Sequence, residues 1–176
     1  MKFVLGGIIT LILLALIAWI VITLGFISFR ADQQPSAFEQ KYAMKAVDAS
    51  TDRNSRDLKN PIQPTDANLL DGMKLYKTYC AGCHGAPDTP KSPIGEAFYP
   101  PAPQFLEDTP DMPDNQNFYI IKHGIRFTGM PAWDKLANDD QIWKVSTFLS
   151  HMGKLPPVVD QEWKTPQLPA SPPVSH

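Results

Sequence analysis

The sequence predicts an all-α protein in which an N-terminal transmembrane helix precedes a small helical domain. A long uncharged apolar stretch opens the chain, helical apolar spacing recurs in later segments, and helix-start and helix-stop residues bracket those segments. The chain has 176 residues and 18 prolines, so one small domain with extended appendages is expected. We divide it into an anchor (1–29), a polar linker (30–63), a folded domain (64–155) and a proline-rich tail (156–176).

The first element is an apolar stretch, Phe3 to Phe29, with no charged residue over 27 positions. As a helix it would run about 40 Å, enough to span a hydrocarbon core of about 30 Å. A signal peptide would have a shorter apolar region that ends at small residues. Because bulky residues stand near Phe29, an uncleaved anchor is predicted. Lys2 favours a cytoplasmic N-terminus, but Arg30 at the other end leaves the orientation undecided by charge.

The polar stretch after the anchor is predicted to be a linker. The spacing of Phe38, Tyr42 and Ala46 suits a short amphipathic helix, but Asp48 to Asn60 has no apolar period. Transient structure in a flexible tether is the slightly favoured alternative. Such a tether would let the domain meet two partners in succession.

The folded domain begins with a predicted helix that Thr65 or Asp66 can cap. Its apolar stripe consists of Leu69, Met73, Tyr76 and Cys80. The segment from Gly85 to Asp111 contains seven prolines and is predicted to be neither helix nor central strand.

Two further helices are predicted in the second half of the domain. Pro113 and Gly124 bracket a short one. Asn138 and Gln141 have the spacing of a capping box, and the helix they start should end near Gly153. The remaining residues are predicted to form an extended tail, in which the sequence leaves the contacts of Trp163 open.

The sequence Cys80-Ala81-Gly82-Cys83-His84 is the most informative motif. A C-x-x-C-H run is typical of covalent haem attachment, in which both thiols add to the porphyrin vinyl groups. Spacings of three and four residues place all three side chains on one helical face. The imidazole of His84 can then be the proximal ligand of the iron.

Other interpretations of this motif fit less well. A structural zinc site needs four ligands, and the chain has no third cysteine. A thioredoxin-like motif would lie in a βαβ unit, whereas the flanking pattern here is helical. A disulfide would leave His84 without a role.

The chain resembles the class I cytochromes c, in a membrane-anchored form with a single haem. The resemblance rests on the C-x-x-C-H run and on a loop that contains Gly129, Met130 and Pro131. It also rests on the helix pair in which Gly72 and Tyr76 would meet Val145 and Phe148. It implies a class I cytochrome c domain over residues 64–155, with short helices around one covalent haem c.

Met130 is the predicted distal ligand, so that Cys80, Cys83, His84 and Met130 would bind the haem and His84 and Met130 its iron. Gly129 allows close approach of the backbone, and Pro131 disfavours helix at Met130. His123 is the alternative ligand, Met112 is weaker, and Met73 and Met152 are expected to serve packing. Arg126 is expected either to pair with a haem propionate or to be a surface charge.

The resemblance implies a non-enzymatic one-electron carrier of a respiratory or related chain. The donor would be a quinol-oxidising complex or dehydrogenase, and the acceptor an oxidase or reductase. The alternatives are a fixed haem subunit of a larger membrane complex, or a haem sensor or enzyme with a labile distal site. The haem domain would lie on the periplasmic side of the inner membrane, behind a single span. The net charge of −2 gives no indication of nucleic-acid binding.

Overall fold

The computed structural model describes residues 2–166, and within them the chain forms only helices and loops. An isolated bridge between Ala86 and Thr89 is the only strand-like pairing in that range. The predicted all-α fold is therefore confirmed. The helices are α1 (Lys2–Thr23), α2 (Ala37–Ser55), α3 (Asp66–Tyr79), α4 (Ala81–His84), α5 (Pro93–Glu96), α6 (Asp114–His123), α7 (Asp139–His151), a 3₁₀ turn (Met152–Lys154) and α8 (Pro157–Lys164).

The chain divides into two compact units, the first of which extends to Arg30 and contains α1. Residues Phe3–Thr23 of this helix have a mean hydropathy of 2.9. The helix is thus long and apolar enough to cross a membrane, a property that N-terminal signal sequences share. The second unit begins at Ala31 and contains the other helices.

The core of the second unit is built where α3 crosses α7. A Cβ atom at Gly72 would lie 2.1 Å from the carbonyl oxygen of Lys144 and 3.0 Å from Cβ of Phe148, so only glycine permits this approach. Tyr76, which is fully buried, has its ring centre 5.6 Å from that of Phe148. The predicted contact of Gly72 and Tyr76 with Phe148 is confirmed.

The predicted ends of α6 and α7 are close to those observed. Helix α6 starts directly after Pro113 and ends at His123, just before Gly124, whose φ of 65° is left-handed. At the start of α7, Asn138 and Gln141 each accept a hydrogen bond of 3.0 Å from the other's backbone amide. This is the capping box that the sequence predicts.

The predicted polar linker contains α2, a five-turn helix that packs on α6. Thr51 and Ser55 are buried, and the side chain of Asn115 donates a hydrogen bond to the carbonyl of Ser55 (2.9 Å). The prediction of aperiodic linker from Asp48 onward is therefore wrong as far as Ser55. The fully buried side chains of α2 are small and polar, so they leave no apolar period in the sequence.

The predicted proline-rich tail contains α8, whose first residue is Pro157. Val159 and Trp163, four residues apart, are both buried, and the Trp163 ring centre lies 5.6 Å from Tyr76 and 5.3 Å from Phe148. The prediction of an extended tail is therefore wrong for Pro157–Lys164. The part of the predicted tail beyond residue 166 lies outside the described residues.

Candidate functional site

The C-x-x-C-H segment forms the turn that links α3 to α4. The amides of Cys83 and His84 donate hydrogen bonds of 3.0 and 2.9 Å to the carbonyl of Cys80, so the three side chains belong to one helical turn. Both cysteines are half-buried and neither is in a disulfide. Burial raises the pKa of the Cys80 thiol to about 12, and the neighbouring Cys83 adds to the rise. The Cys80 thiol is therefore protonated at neutral pH in this folded form.

The imidazole of His84 is held on two sides. Its Nδ1 atom lies 2.9 Å from the carbonyl oxygen of Pro103, and since a carbonyl only accepts, Nδ1 carries the proton. The ring also stacks on Phe105, with 4.5 Å between centres and 5° between planes. Burial lowers the pKa of His84, against the opposing effect of the Pro103 bond. The result is a neutral imidazole of fixed orientation whose Nε2 lone pair is available to a metal.

The backbone carbonyls of this turn are bound by side chains from the proline-rich segment. Gln104 Nε2 donates to the carbonyl of Cys83 (3.0 Å), and Ser92 Oγ donates to that of Gly82 (2.5 Å). A Cβ atom at Gly95 would lie 1.9 Å from the Cys83 oxygen, so α5 packs directly on the turn. The Tyr76 hydroxyl donates to the carbonyl of Gly85 (2.8 Å), and burial raises the pKa of that hydroxyl.

Sequence reasoning missed both the helix α5 and its contacts. Helix α5 lies inside the segment from 85 to 111 that was predicted to be non-helical. Pro93 occupies its first turn, where a missing N–H is tolerated, and Ser92 caps it by accepting a bond from the Gly95 amide (3.0 Å). The Ser-Pro pair is a helix-start signal that could have been recognised. No spacing rule pointed to Gln104.

Met130 is half-buried and lies in a loop that folds back on the end of α6. Its carbonyl accepts from the amide of Ile125 (3.1 Å), and its amide donates to Thr128 Oγ1 (3.1 Å). A Cβ atom at Gly124 would lie 2.8 Å from the Met130 oxygen. Glycine is therefore required at position 124 for two reasons: its backbone has a positive φ, and the Met130 carbonyl leaves no room for a side chain.

The Met130 loop meets the segment that holds His84. A Cβ atom at Gly129 would lie 2.6 Å from the ring of Phe98, five residues before the Pro103 carbonyl that binds the imidazole. The structure thus brings the segment that carries Pro103 into direct contact with the Met130 loop. The Met130 loop also exposes Phe127, which has a left-handed φ of 63°, and Arg126.

The other candidate ligands have different surroundings. His123 is exposed at the end of α6, with its ring 4.7 Å from that of Tyr119. Met73 is 2% exposed within the core, and Met152 packs against the core from the 3₁₀ turn. Met112 is half-buried, and its carbonyl accepts a bond from Asn117.

An apolar pocket adjoins Cys80 between α3, α6 and α7. Its walls are formed mainly by aliphatic and aromatic side chains. The lining residues are Leu75, Tyr79, Cys80, Ile121, Trp133, Ala137, Gln141, Ile142 and Val145. The side chains around the first cysteine of the motif are therefore largely apolar.

The helical fold and the C-x-x-C-H turn, with its imidazole bound to a backbone carbonyl, define a c-type cytochrome domain. Residues 67–149 match the family model described as cytochrome c oxidase, cbb3-type, subunit III. This part of the chain is therefore a class I cytochrome c domain, and such a domain transfers electrons through a covalently bound c-type haem.

No curated protein matches the chain. Among solved structures, the chain is similar to one from the reducing HAO-like protein complex of Kuenenia stuttgartiensis. The two are 22% identical with a TM-score of 0.43, over 51% of this chain and 45% of the other.

The residues of the turn fit a c-type haem. Two unlinked thiols are spaced for the vinyl groups, the imidazole has a free Nε2, and the neighbouring pocket is apolar. Among residues 2–166 no group of three or more His, Cys, Asp or Glu side chains is arranged to hold a metal ion by itself.

Proposed function

We propose that the protein is a membrane-anchored one-electron carrier with a single c-type haem. Cys80 and Cys83 would attach the haem through thioether bonds, with His84 as proximal and Met130 as distal ligand. When bound, the haem supplies an iron that alternates between its ferric and ferrous states. The observation that carries the proposal is the His84 imidazole, which lies on the C-x-x-C-H turn and is held there by the Pro103 carbonyl.

The protein's contribution on the proximal side is to orient a ligand. The Pro103 carbonyl fixes the tautomer of His84 and makes its Nε2 more basic, while Phe105 limits rotation of the ring. Because Gln104 and Ser92 bind the carbonyls of the same turn, the cysteines and the histidine are held as one unit.

On the distal side, the chain offers a neutral thioether. Met130 lies between Gly129 and Pro131 in a loop that is closed onto α6 by backbone hydrogen bonds. A thioether favours ferrous iron more than an imidazole does, so it would raise the reduction potential. With His84 and Met130 both bound, the protein would fill both axial positions of the iron. A filled distal position suits an electron carrier, because it leaves no open site for a substrate.

We further propose that α1 remains attached as a single span, with the cytochrome domain on the periplasmic side of the inner membrane. The haem domain would comprise residues 64–155, with α2 and α8 packed on it as additional helices. Its donor would be a quinol-oxidising complex or a dehydrogenase, and its acceptor an oxidase or a reductase.

A fixed haem subunit of a larger membrane complex is the second candidate function, and α2 favours it. A flexible tether was expected over residues 30–63, but Ala37–Ser55 is helical and packs on α6. The non-helical segment between α1 and α2 therefore comprises only residues 24–36. A shorter arm restricts the range of partners that the domain can reach.

The proposal is tested by the state of the haem in the purified protein. The haem should resist acid–acetone extraction, and the ferric form should show the weak near-infrared sulfur-to-iron band of His/Met ligation. Met130→Ala should abolish this band and admit carbon monoxide to the ferrous iron, whereas Met112→Ala should change neither. Extractable haem would refute the attachment, and loss of the band in Met112→Ala alone would refute the choice of ligand.

A further inference from the structure

The N-terminal half of α2 carries an exposed pair of aromatic side chains. Phe38 and Tyr42 are 71% and 53% exposed, and their ring centres are 4.5 Å apart. They are four residues apart and therefore lie one above the other on the helix. More than half of each side chain remains open to solvent, so the cytochrome domain leaves this apolar surface largely uncovered.

This aromatic pair lies on the side of α2 that faces away from the cytochrome domain. At 3.6 residues per turn, Val47 and Thr51 lie roughly 140–180° around the helix from Phe38. Val47 is half-buried and Thr51 is buried, so they mark the side that packs on the domain. The aromatic pair is thus available to a partner while α2 keeps its contact with α6.

Two lysines extend the aromatic pair into a mixed stripe. Lys41 and Lys45 are exposed and lie three residues after Phe38 and Tyr42, respectively, so they belong to the same side of the helix. The acidic residue in this half of α2 is Glu39. It accepts a hydrogen bond of 2.6 Å from the Tyr99 hydroxyl and is therefore directed towards the loop that contains Tyr99. Aromatic rings beside lysines suit a bilayer surface with anionic headgroups, where the rings lie at headgroup level and the ammonium groups meet phosphates.

The position of this stripe in the chain favours lipid as its partner. Only 13 residues, 24–36, separate the end of α1 at Thr23 from the start of α2 at Ala37. Such a segment has a coil span of roughly 20 Å and a maximum reach of about 45 Å. If α1 spans a bilayer, the start of α2 stays on average within roughly 20 Å of the point where α1 leaves it.

We propose that Phe38, Lys41, Tyr42 and Lys45 form a membrane-surface contact that binds anionic lipid headgroups. The proposal rests on the membrane anchoring proposed above. Because α2 also packs on α6, the contact would fix which side of the cytochrome domain faces the bilayer. It would thereby limit the orientations in which redox partners meet the domain.

The test uses the full-length, haem-loaded protein with a spin label on an introduced cysteine. Ala49→Cys places the label at an exposed position on the same stripe, and Gln40→Cys places a matched label on another side of α2. The haem is kept in the ferrous state, because low-spin ferrous iron is diamagnetic and does not affect the relaxation of the spin label. In vesicles that contain phosphatidylglycerol, the label at 49 should gain contact with lipid-dissolved oxygen and lose contact with a water-soluble nickel chelate, each by about twofold relative to detergent. The label at 40 should stay accessible to nickel.

Two further variants separate the components of the contact. Phe38→Ser with Tyr42→Ser should return the label at 49 to the accessibility seen in detergent. Lys41→Gln with Lys45→Gln should weaken the effect of phosphatidylglycerol and leave vesicles of phosphatidylcholine unchanged. A label at 49 that stays open to nickel in anionic vesicles would overturn the proposal, and shielding from both reagents would show a protein partner instead. Release of the protein from vesicles by carbonate would refute the proposed membrane anchoring by α1. The haem spectrum tests the proposed haem ligation independently of this result.

Discussion

The carboxamide of Gln104 is the side chain that connects the parts of the candidate haem site. Its Nε2 donates to the carbonyls of Cys83 (3.0 Å) and Ala102 (2.8 Å), and its Oε1 accepts from the amide of Ser92 (2.7 Å). The side chain is 8% exposed, so these groups have little access to water. One amide thus joins the C-x-x-C-H turn to the start of α5 and to the segment that carries Pro103.

We expect Gln104→Leu to lower the free energy of unfolding by about 2–4 kcal/mol, because it leaves buried backbone groups of Cys83 and Ser92 without partners. The measurement is guanidinium unfolding of the haem-loaded protein, followed by near-UV circular dichroism. Gln161→Leu is the matched control, since Gln161 is exposed and should change stability by no more than about 0.5 kcal/mol. Equal stability of the two variants would show that the carboxamide does not hold the turn.

At the level of elements, the crossing of α3 and α7 depends on the absence of a side chain at Gly72. Gly72→Ala would place Cβ 2.1 Å from the Lys144 carbonyl oxygen, a backbone atom that cannot move without shifting α7. Alanine gains about 1 kcal/mol in helix propensity, but the overlap should outweigh it and give a net loss of about 2 kcal/mol or more. The melting temperature measures this loss.

Gly82→Ala is the control for this prediction. Gly82 is also in a helical turn, but a Cβ atom there would meet no atom within 4 Å. We therefore expect it to be neutral or slightly stabilising. If Gly72→Ala were equally harmless, the close crossing of α3 and α7 would be refuted.

The docking of α8 can be tested with two adjacent valines. Val159 is fully buried and Val158 is 54% exposed, so Val159→Ala should cost about 2 kcal/mol and Val158→Ala less than about 0.5 kcal/mol. Equilibrium unfolding of both variants measures the difference. Similar small losses would mean that α8 does not stabilise the domain.

How much of the structure the sequence predicts depends on the kind of side chain that each element buries. Helix α3 buries an apolar stripe, and the Asn138 and Gln141 capping box marks the start of α7, so both were predicted. Helix α2 buries Thr51 and Ser55 instead, and no rule of apolar periodicity detects such a face. Helix α8 has only eight residues, and its Val159–Trp163 pair was obscured by the surrounding prolines.

The candidate site shows the same division between local and non-local information. The C-x-x-C-H run and the Met130 loop are contiguous motifs and could be recognised from sequence. The Pro103 carbonyl, the Phe105 ring and the Phe98 contact come from a proline-rich segment whose path is set by long-range packing. Prolines exclude a long helix in that segment but do not specify which carbonyl will face His84.

At the scale of the whole molecule, the length of mobile chain before the cytochrome domain decides between a free carrier and a fixed subunit. We expect trypsin to cleave the detergent-solubilised protein after Arg30 well before it cleaves after Arg53. Residue 30 lies outside any helix, whereas cleavage within α2 requires that helix to open. Intact-mass analysis of the fragments over time measures the order.

Asn115→Ala provides the matched comparison, since it removes the hydrogen bond from α6 to the Ser55 carbonyl. It should accelerate cleavage after Arg53 and leave cleavage after Arg30 unchanged. Rapid cleavage at both arginines in the unmodified protein would instead support a long flexible tether. It would then favour a carrier that reaches its donor and its acceptor in succession.

The contact between Tyr76 and Trp163 also sets an order of events during biosynthesis. The two residues are 87 positions apart, and both are buried only when α8 lies against α3 and α7. This part of the core therefore cannot be completed until residue 163 has been synthesised. Until then Tyr76, whose side chain is fully buried in the folded domain, lacks the ring that covers it. On the proposed function, the late arrival of α8 would leave an interval in which the haem can be attached to Cys80 and Cys83 before the core is complete.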